Sequence, residues 1–288
     1  MNVLLEVHCT KHSIKKTKTV SVLIPTYNSS KTLKECIKSV MEQDHRPLEV
    51  IIVDSNSSDS TLKIAKRLGC RIITTEWKLL GARYLGAKAS EGDYVLMLDS
   101  DQVLKRRNII SEALSMSRRY DMLVLEEASY RTKTLLEKMA DADRKLVHNA
   151  VETQLDPIEG ILLPRFFKKQ VLLKAFKHID MPKLHDVIIF DHVLIYYEAH
   201  KVSSKVSMIK DAVVHSEPSD LIGILTHNYR YGISVKNLLQ YKKYNKLLAK
   251  KTRFRRVEVT RRNIGLIIQS YTLLILKGVA YELGRLIG

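Results

Sequence analysis

Short apolar runs alternate with longer amphipathic stretches through the first hundred residues of this chain. Val20 to Ile24 forms the first run and stops at Pro25-Thr26-Tyr27-Asn28; Leu33, Ile37, Val40 and Met41 then recur at helical spacing. The pattern predicts a strand, a turn, and a helix capped by Ser29 or Ser30 that runs to about Gln43. Leu48 to Val53 repeats the strand and ends in Asp54-Ser55-Asn56-Ser57-Ser58-Asp59-Ser60-Thr61, a polar loop leading into a second helix capped through Ser58 or Asp59. Arg71 to Thr74 is a third strand, and Gly81-Ala82-Arg83 opens a helix to Ala89. Tyr94 to Leu98 is apolar on both faces, as a central strand covered by helices should be, and it delivers Asp99-Ser100-Asp101 at its end. This alternation implies a parallel, doubly wound sheet through about residue 125.

Farther along, the pattern predicts a helix over 131–151, a loop over 155–165, and a helix over 190–200 with Asp191 near its N-terminus. Two strands follow at 205–209 and 212–214, closed by His215-Ser216-Glu217-Pro218. From Asn263 to Gly288 the chain is strongly apolar, with polar positions at 262/263, 269/270, 277 and 285. Lys277 and Glu282 interrupt it, so its apolar portions read as too short for a membrane span of about 20 residues. They suit a helix lying in a membrane interface, with docking on the protein's own core or on a second subunit as the competing reading. The expected division is a polar leader (1–18), an α/β domain (19–235) and a basic, amphipathic helical extension (236–288).

Composition narrows this picture. Of 288 residues 45% are hydrophobic and 27% charged, an ordinary balance for a globular protein and too charged for a polytopic membrane protein. The net charge of +17 is unevenly placed: residues 236–262 hold eleven Lys and Arg against one acid, Glu258, a local net charge of +10. Such a block seeks a polyanion, either an anionic membrane surface or nucleic acid. Cys9, Cys36 and Cys70 have neither disulfide-framework nor zinc spacing. No basic segment precedes the short apolar run near the start, so a cytoplasmic location is expected.

The candidate chemistry lies where strands end. Open α/β sheets bind ligands beyond the carboxyl ends of their strands, which is where Asp54, Asp99 and Asp101 fall. Two close carboxylates repel unless something positive sits between them, and a divalent ion bridging to a phosphate does this well. Helix capping and solvation are the bland alternatives for each acid. The turn after the first strand lacks the glycine patterns of a P-loop or a dinucleotide fingerprint.

Taken in order, these motifs resemble family 2 glycosyltransferases of the GT-A fold over roughly residues 19–235. The resemblance implies a mostly parallel central sheet flanked by helices, and inverting transfer from a UDP- or GDP-sugar donor. It implies that Pro25, Thr26, Tyr27 and Asn28 line the nucleotide pocket, that Asp54 contacts the base, and that Arg83 approaches the phosphates. Ser55 stands where the family often has a second acid, and Tyr84 where an asparagine is usual. Asp99-Ser100-Asp101 matches the D-x-D motif that holds Mn2+ or Mg2+ on the donor diphosphate, with Ser100 beside the donor. Asp191 matches the general base, although Phe190 and Tyr197 replace the usual Glu and Arg neighbours; Asp186 is its rival. His215 resembles a histidine near the metal, and Tyr229-Arg230-Tyr231-Gly232 a basic aromatic segment seen just beyond it. With the basic block, a lipid-linked or glycan acceptor at an anionic membrane surface is expected, and homo-oligomerisation is a further possible partnership. A sugar nucleotidyltransferase would want a glycine-rich first turn. A nucleic-acid-binding protein would explain the charge but not acids at successive strand ends, so nucleic acid is the less favoured partner.

Overall fold

A computed structural model of the chain describes residues 17–149, 155–216, 220–251, 259–261 and 263–287. Most of the expected polar leader, Cys9, and several residues of the basic block lie outside these ranges. The element order is β1 (Val20–Thr26), α1 (Leu33–Met41), β2 (Glu49–Asp54), α2 (Thr61–Arg67), β3 (Arg71–Thr74), α3 (Leu79–Ala89), β4 (Tyr94–Met97), β5 (Gln102–Leu104), α4 (Ile109–Met116) and β6 (Met122–Ser129). It continues with α5 (Leu135–Asn149), β7 (Pro164–Lys168), α6 (Lys169–Lys177), α7 (Met181–Leu184), α8 (Asp191–Val202), β8 (Val206–His215), α9 (Leu221–Leu239), α10 (Asn245–Lys251) and α11 (Ile264–Ile287). Among the described residues eight strands form one sheet in the order β3-β2-β1-β4-β7-β6-β8-β5.

The α/β class and the helix-flanked sheet are as expected, and the first four strands are parallel. Alternate residues of β1 face opposite layers: Val22 and Ile24 pack with Leu33, Ile37 and Val40 of α1, whereas Leu23 packs with Leu80 and Ala82 of α3. Both faces are therefore covered, which explains the continuous apolar runs.

The second half departs from the doubly wound expectation. Pro164–Lys168, expected within or next to a loop, is a strand antiparallel to both β4 and β6. Its apolar residues fill a gap between two strands, and this long-range pairing leaves no local turn signal. The strands expected at 205–209 and 212–214 are one element, β8, which continues through Asp211 in a left-handed conformation (φ 51°). Neither Ser29 nor Ser30 caps α1; its N-cap is Thr32, and no side chain bonds the first turn. Likewise α2 starts from Ser60 without a side-chain cap, although Asp59 accepts from the Thr61 amide at 2.9 Å.

The terminal helix is docked along α9 and α5. Gly232 of α9 and Gly284 of α11 let the two backbones touch: a Cβ at Gly232 would sit 1.9 Å from the Tyr281 carbonyl oxygen, and one at Gly284 2.0 Å from that of Tyr229. Because α9 runs through position 235, the helical layer is continuous across the expected domain boundary. The reading of α11 as too short to span is corrected: by length and composition it is long and apolar enough to cross a membrane, with a mean hydropathy of 1.5 over an 18-residue window. One face is buried through Ser270, Leu273, Ala280 and Gly284, while Ile264, Ile268, Ile275, Val279, Leu283 and Leu286 are exposed at spacings of three, four or seven residues.

Candidate functional site

Parallel register sets the end of β1 beside the ends of β2 and β4: Thr26 pairs with Asp54, and the Leu98 amide bonds the Leu23 carbonyl at 3.0 Å. The loops beyond these ends are sewn together. Asp54 is fully buried, and its carboxylate accepts from Thr26 Oγ1 (2.7 Å), Ser57 Oγ (2.6 Å) and the Ser57 amide (2.8 Å). Asp54 thus organises its own loop, and contact with a nucleotide base would require displacing these donors. Asn28, left-handed at φ 49°, donates its amide to Ser57 Oγ (2.8 Å) and accepts from the Ser58 amide through Oδ1 (2.9 Å). Ser100 Oγ bonds Ser29 Oγ at 2.8 Å, which joins the loop after β4 to the loop after β1. Pro25 and Thr26 belong to the buried strand, but the Tyr27 ring is exposed, and the Arg230 guanidinium of α9 lies 4.8 Å from its centre.

A charge cluster, buried at Arg83, Asp191 and His192 and half-buried elsewhere, lies next to this cradle. The first turn of α3 is held by the segment before α8, with the Leu80 amide on the Val187 carbonyl (3.0 Å) and the Gly81 amide on His185 (3.2 Å). This docking sets Arg83 beside Asp191. Arg83 Nε meets Asp191 Oδ2 at 2.5 Å and Nη2 meets Asp99 Oδ1 at 2.5 Å, with the arginine only 1% exposed. Antiparallel β7 brings Arg165 to the end of β4, where Nη1 lies 2.9 Å from Asp99 Oδ2 and 2.8 Å from His192 Nε2, while Nη2 meets Glu127 Oε1 at 2.9 Å. Glu127 also receives Arg144 Nη1 (2.9 Å) and Gln102 Nε2 (2.9 Å), and Arg144 Nη2 sits against His215 Nδ1. His215 Nε2 is 3.2 Å from Asp101 Oδ2.

These contacts set the local electrostatics. Burial opposes ionisation of Asp99, but Arg165 and Arg83 outweigh it and hold the carboxyl well below the usual range. Burial likewise opposes the charge on Glu127, which Arg165 and His215 nonetheless keep ionised. For Asp191 burial prevails: its pKa is raised, with Arg83 pulling the other way. His192 is driven toward neutrality by burial and by the two arginines. Burial also disfavours the charged form of His215, yet Asp101 lifts its pKa. Phe190, immediately before Asp191, is left-handed at φ 66°, a backbone strain found preferentially where a functional side chain must be aimed.

The cluster gathers Arg83, Asp99, Asp101, Asp191 and His215 from α3, the ends of β4 and β8, and the start of α8. Asp186 is exposed and pairs with His185 at 3.4 Å. Arg165, Glu127, Arg144 and His192 were missed from the sequence. Glu127 carried a usable signal, an acid following the apolar run 122–125. Arg165 carried only its position as a lone charge between Pro164 and Phe166.

The fit of a divalent ion rests on the donor atoms. Both oxygens of Asp99 are engaged by arginines, so a cation on this carboxylate would have to share its oxygens with them. Asp101 Oδ1 is a buried acceptor with no hydrogen-bond partner, and His215 neighbours the same carboxylate. Among the described residues no three His, Cys, Asp or Glu side chains group as a metal cage. Mg2+ and Mn2+ fit such an open set, because Mg2+ characteristically binds through one or two protein ligands plus substrate phosphates and water, and Mn2+ favours the same oxygen donors.

Comparison with known proteins agrees with this architecture. The Glycosyl transferase family 2 model matches residues 21–176, more than half of the chain. Uncharacterized glycosyltransferase MG060 of Mycoplasma genitalium is 25% identical over 235 residues, covering 75% of this chain and 76% of the relative. Glycosyltransferase GlyG of Streptococcus pneumoniae is 30% identical over 97 residues, covering 31% of this chain and 32% of the relative. Poly(ribitol-phosphate) beta-N-acetylglucosaminyltransferase TarS of Staphylococcus aureus is 31% identical over 114 residues, covering 36% and 20%. The match therefore spans a third or less of GlyG and of TarS. In fold, the chain is similar to S. aureus TarS 1-349 (TM-score 0.53, 18% identity, covering 90% of this chain and 80% of that one). It is also similar to glucosyl-3-phosphoglycerate synthase from Mycobacterium tuberculosis (TM-score 0.51, 16% identity, covering 77% and 78%). The fold is GT-A.

Proposed function

The chain belongs to glycosyl transferase family 2, and on that premise we propose that it moves a sugar, with inversion, from a nucleotide-diphosphate donor to an acceptor hydroxyl. The observation that carries this reading is the partly buried cluster in which Arg83 joins Asp99 to Asp191 beside Asp101 and His215. Pro25, Thr26, Tyr27 and Asn28 with the Asp54 loop form the nucleotide cradle, and Ser100 ties that cradle to the acid motif. Asp101, joined by His215 once its imidazole has given up its proton, would hold Mn2+ or Mg2+, which when bound supplies positive charge to the leaving diphosphate.

In the reaction, the acceptor oxygen bonds to the anomeric carbon, and the bond from that carbon to the diphosphate oxygen breaks. The electron pair departs with the nucleoside diphosphate. Asp191 takes the acceptor's proton, a role that suits a carboxylate whose pKa burial has raised. One base and no covalent nucleophile correspond to inversion. TarS 1-349 has been crystallised with UDP-GlcNAc, and the mycobacterial synthase with Mn2+ and UDP, which makes UDP the first donor to test and GDP the second.

The acceptor is proposed to be lipid-linked or a glycan met at the inner face of the cell membrane. The exposed row of α11 together with the basic block of 236–262 suits an anionic lipid surface. Vesicles containing anionic lipid should retain the wild type, and Ile268→Glu with Val279→Glu should abolish retention; unchanged retention would remove the membrane part of the proposal.

Calorimetric titration of UDP and GDP, with and without Mn2+, tests the main reading. One nucleotide should bind in a metal-dependent way, and Asp101→Ala should lose that dependence. A folded wild type that binds neither nucleotide would refute the transferase assignment.

A further inference from the structure

Arg83 holds the proposed base in a grip that conflicts with the base's task. Its Nε meets Asp191 at 2.5 Å and its Nη2 meets Asp99 at the same distance, yet Nη1 is buried with no hydrogen-bond partner. A buried donor without an acceptor is costly, and a guanidinium with two nitrogens committed and one open is well shaped to receive a phosphate oxygen. Asp191 cannot accept a proton freely through the oxygen that faces Arg83. Among the described residues Arg83 is the one cation paired directly with it; Arg165, which acts on Asp191 electrostatically, is committed to Asp99 and Glu127. Asp99, by contrast, keeps Arg165 if Arg83 moves.

Building on the transferase reading, we infer that Arg83 is a clasp on the base: a donor phosphate oxygen enters at the open Nη1 and draws the guanidinium off Asp191, so that the diphosphate competes with Asp191 for Arg83 and binding of the donor releases Asp191 to act on the acceptor. The exchange forms and breaks no covalent bond. Anionic phosphate oxygens replace one carboxylate oxygen as acceptors, while Asp99, anchored by Arg165, retains the other end of the guanidinium. The base is thereby armed only when the electrophile is present. Arg83 acts as a positioning residue for Asp191 in addition to contacting the donor.

Competition has a thermodynamic signature that a purely structural ion pair lacks. If the diphosphate must draw Arg83 away, weakening the hold of Asp191 tightens nucleotide binding. In calorimetry with UDP and Mn2+ on the full chain, Asp191→Asn should bind UDP roughly 5- to 10-fold more tightly than wild type. In an Arg83→Gln background the same Asp191→Asn change should alter affinity by less than about twofold. Asp191→Ser provides a second removal of the charge, and a thermal melt verifies that each variant is folded. An equal gain in both backgrounds would mean general electrostatic relief and would overturn the clasp while leaving the transferase reading intact. Unchanged or weakened binding in both Asp191 variants would overturn it too. If the wild type binds GDP instead of UDP, the same comparison with GDP decides the clasp; absence of both UDP and GDP binding in the wild type and in every variant would overturn both.

Discussion

The loops after β2 and β4 start from the same sequence logic, a buried strand ending in an acid, and reach opposite solutions. Asp54 is satisfied by neutral donors: a hydroxyl and an amide three residues away, and the Thr26 hydroxyl on the neighbouring strand. Asp99 is satisfied by two guanidiniums, one from α3 and one from β7, that are 16 and 66 residues away in the chain. The first arrangement sets the shape of a loop and adds no positive charge. The second builds a charged cluster whose members come from several elements, and Arg83 and Arg165 each serve two acids in it. A strand-end acid therefore marks the functional edge of the sheet without revealing whether it shapes the backbone or takes part in the charge balance.

The largest expected effect that sharpens this contrast is kinetic. Asp99→Asn leaves Arg83 and Arg165 competing for fewer acceptors and should lower kcat/KM by about 10²- to 10³-fold, the range seen when a preorganised polar group is removed. Asp54→Asn should cost less than about tenfold, mostly through KM for the donor, because two of its donors come from its own loop. Equal losses, measured with the same donor and acceptor, would erase the distinction.

Stability should separate the loops next. Arg165→Met strips a shared cation from half-buried Asp99 and Glu127 and should cost somewhat less in urea unfolding than the roughly 3–5 kcal/mol of breaking a fully buried pair. Asp54→Ala unpairs only neutral donors and should cost about 1–3 kcal/mol.

The smallest effect concerns Asp59, which accepts from the Ser30 amide at 3.0 Å and so ties the second loop to the first. Burial pushes its pKa up slightly, but Thr61 and Ser30 outweigh this and hold it at about 2, below the ordinary 3.8. Because the folded value is the lower one, the brace contributes fully above about pH 4 and is lost as pH falls through about 2. Amide exchange at Ser30 and Thr61 should therefore accelerate selectively over that interval. In Asp59→Asn the fast rate should already be present at pH 5.

Much of the first half was legible because its information is local. The strand ends, the Asp54 loop and the alternation with helices are each written within a few residues, and the layers follow from apolar runs that must be covered on both faces. Asp191 at a helix start and His215 at a strand end could be found in the same way. β7 was not legible, since Pro164–Lys168 becomes a strand only by pairing with β4 and β6, and with it Arg165 was lost.

The sequence by itself determined the α/β class, the edge at which chemistry gathers, the candidate acids and the basic, amphipathic C-terminal region. Only the tertiary structure decided that Asp99 is paired with two arginines while Asp101 keeps an unpartnered oxygen, that Arg83 grips Asp191, and that α11 lies on α9 through Gly232 and Gly284. Local periodicity encodes which residues leave water. The pairing of buried charges depends on which distant elements meet, and chain spacing does not contain that information.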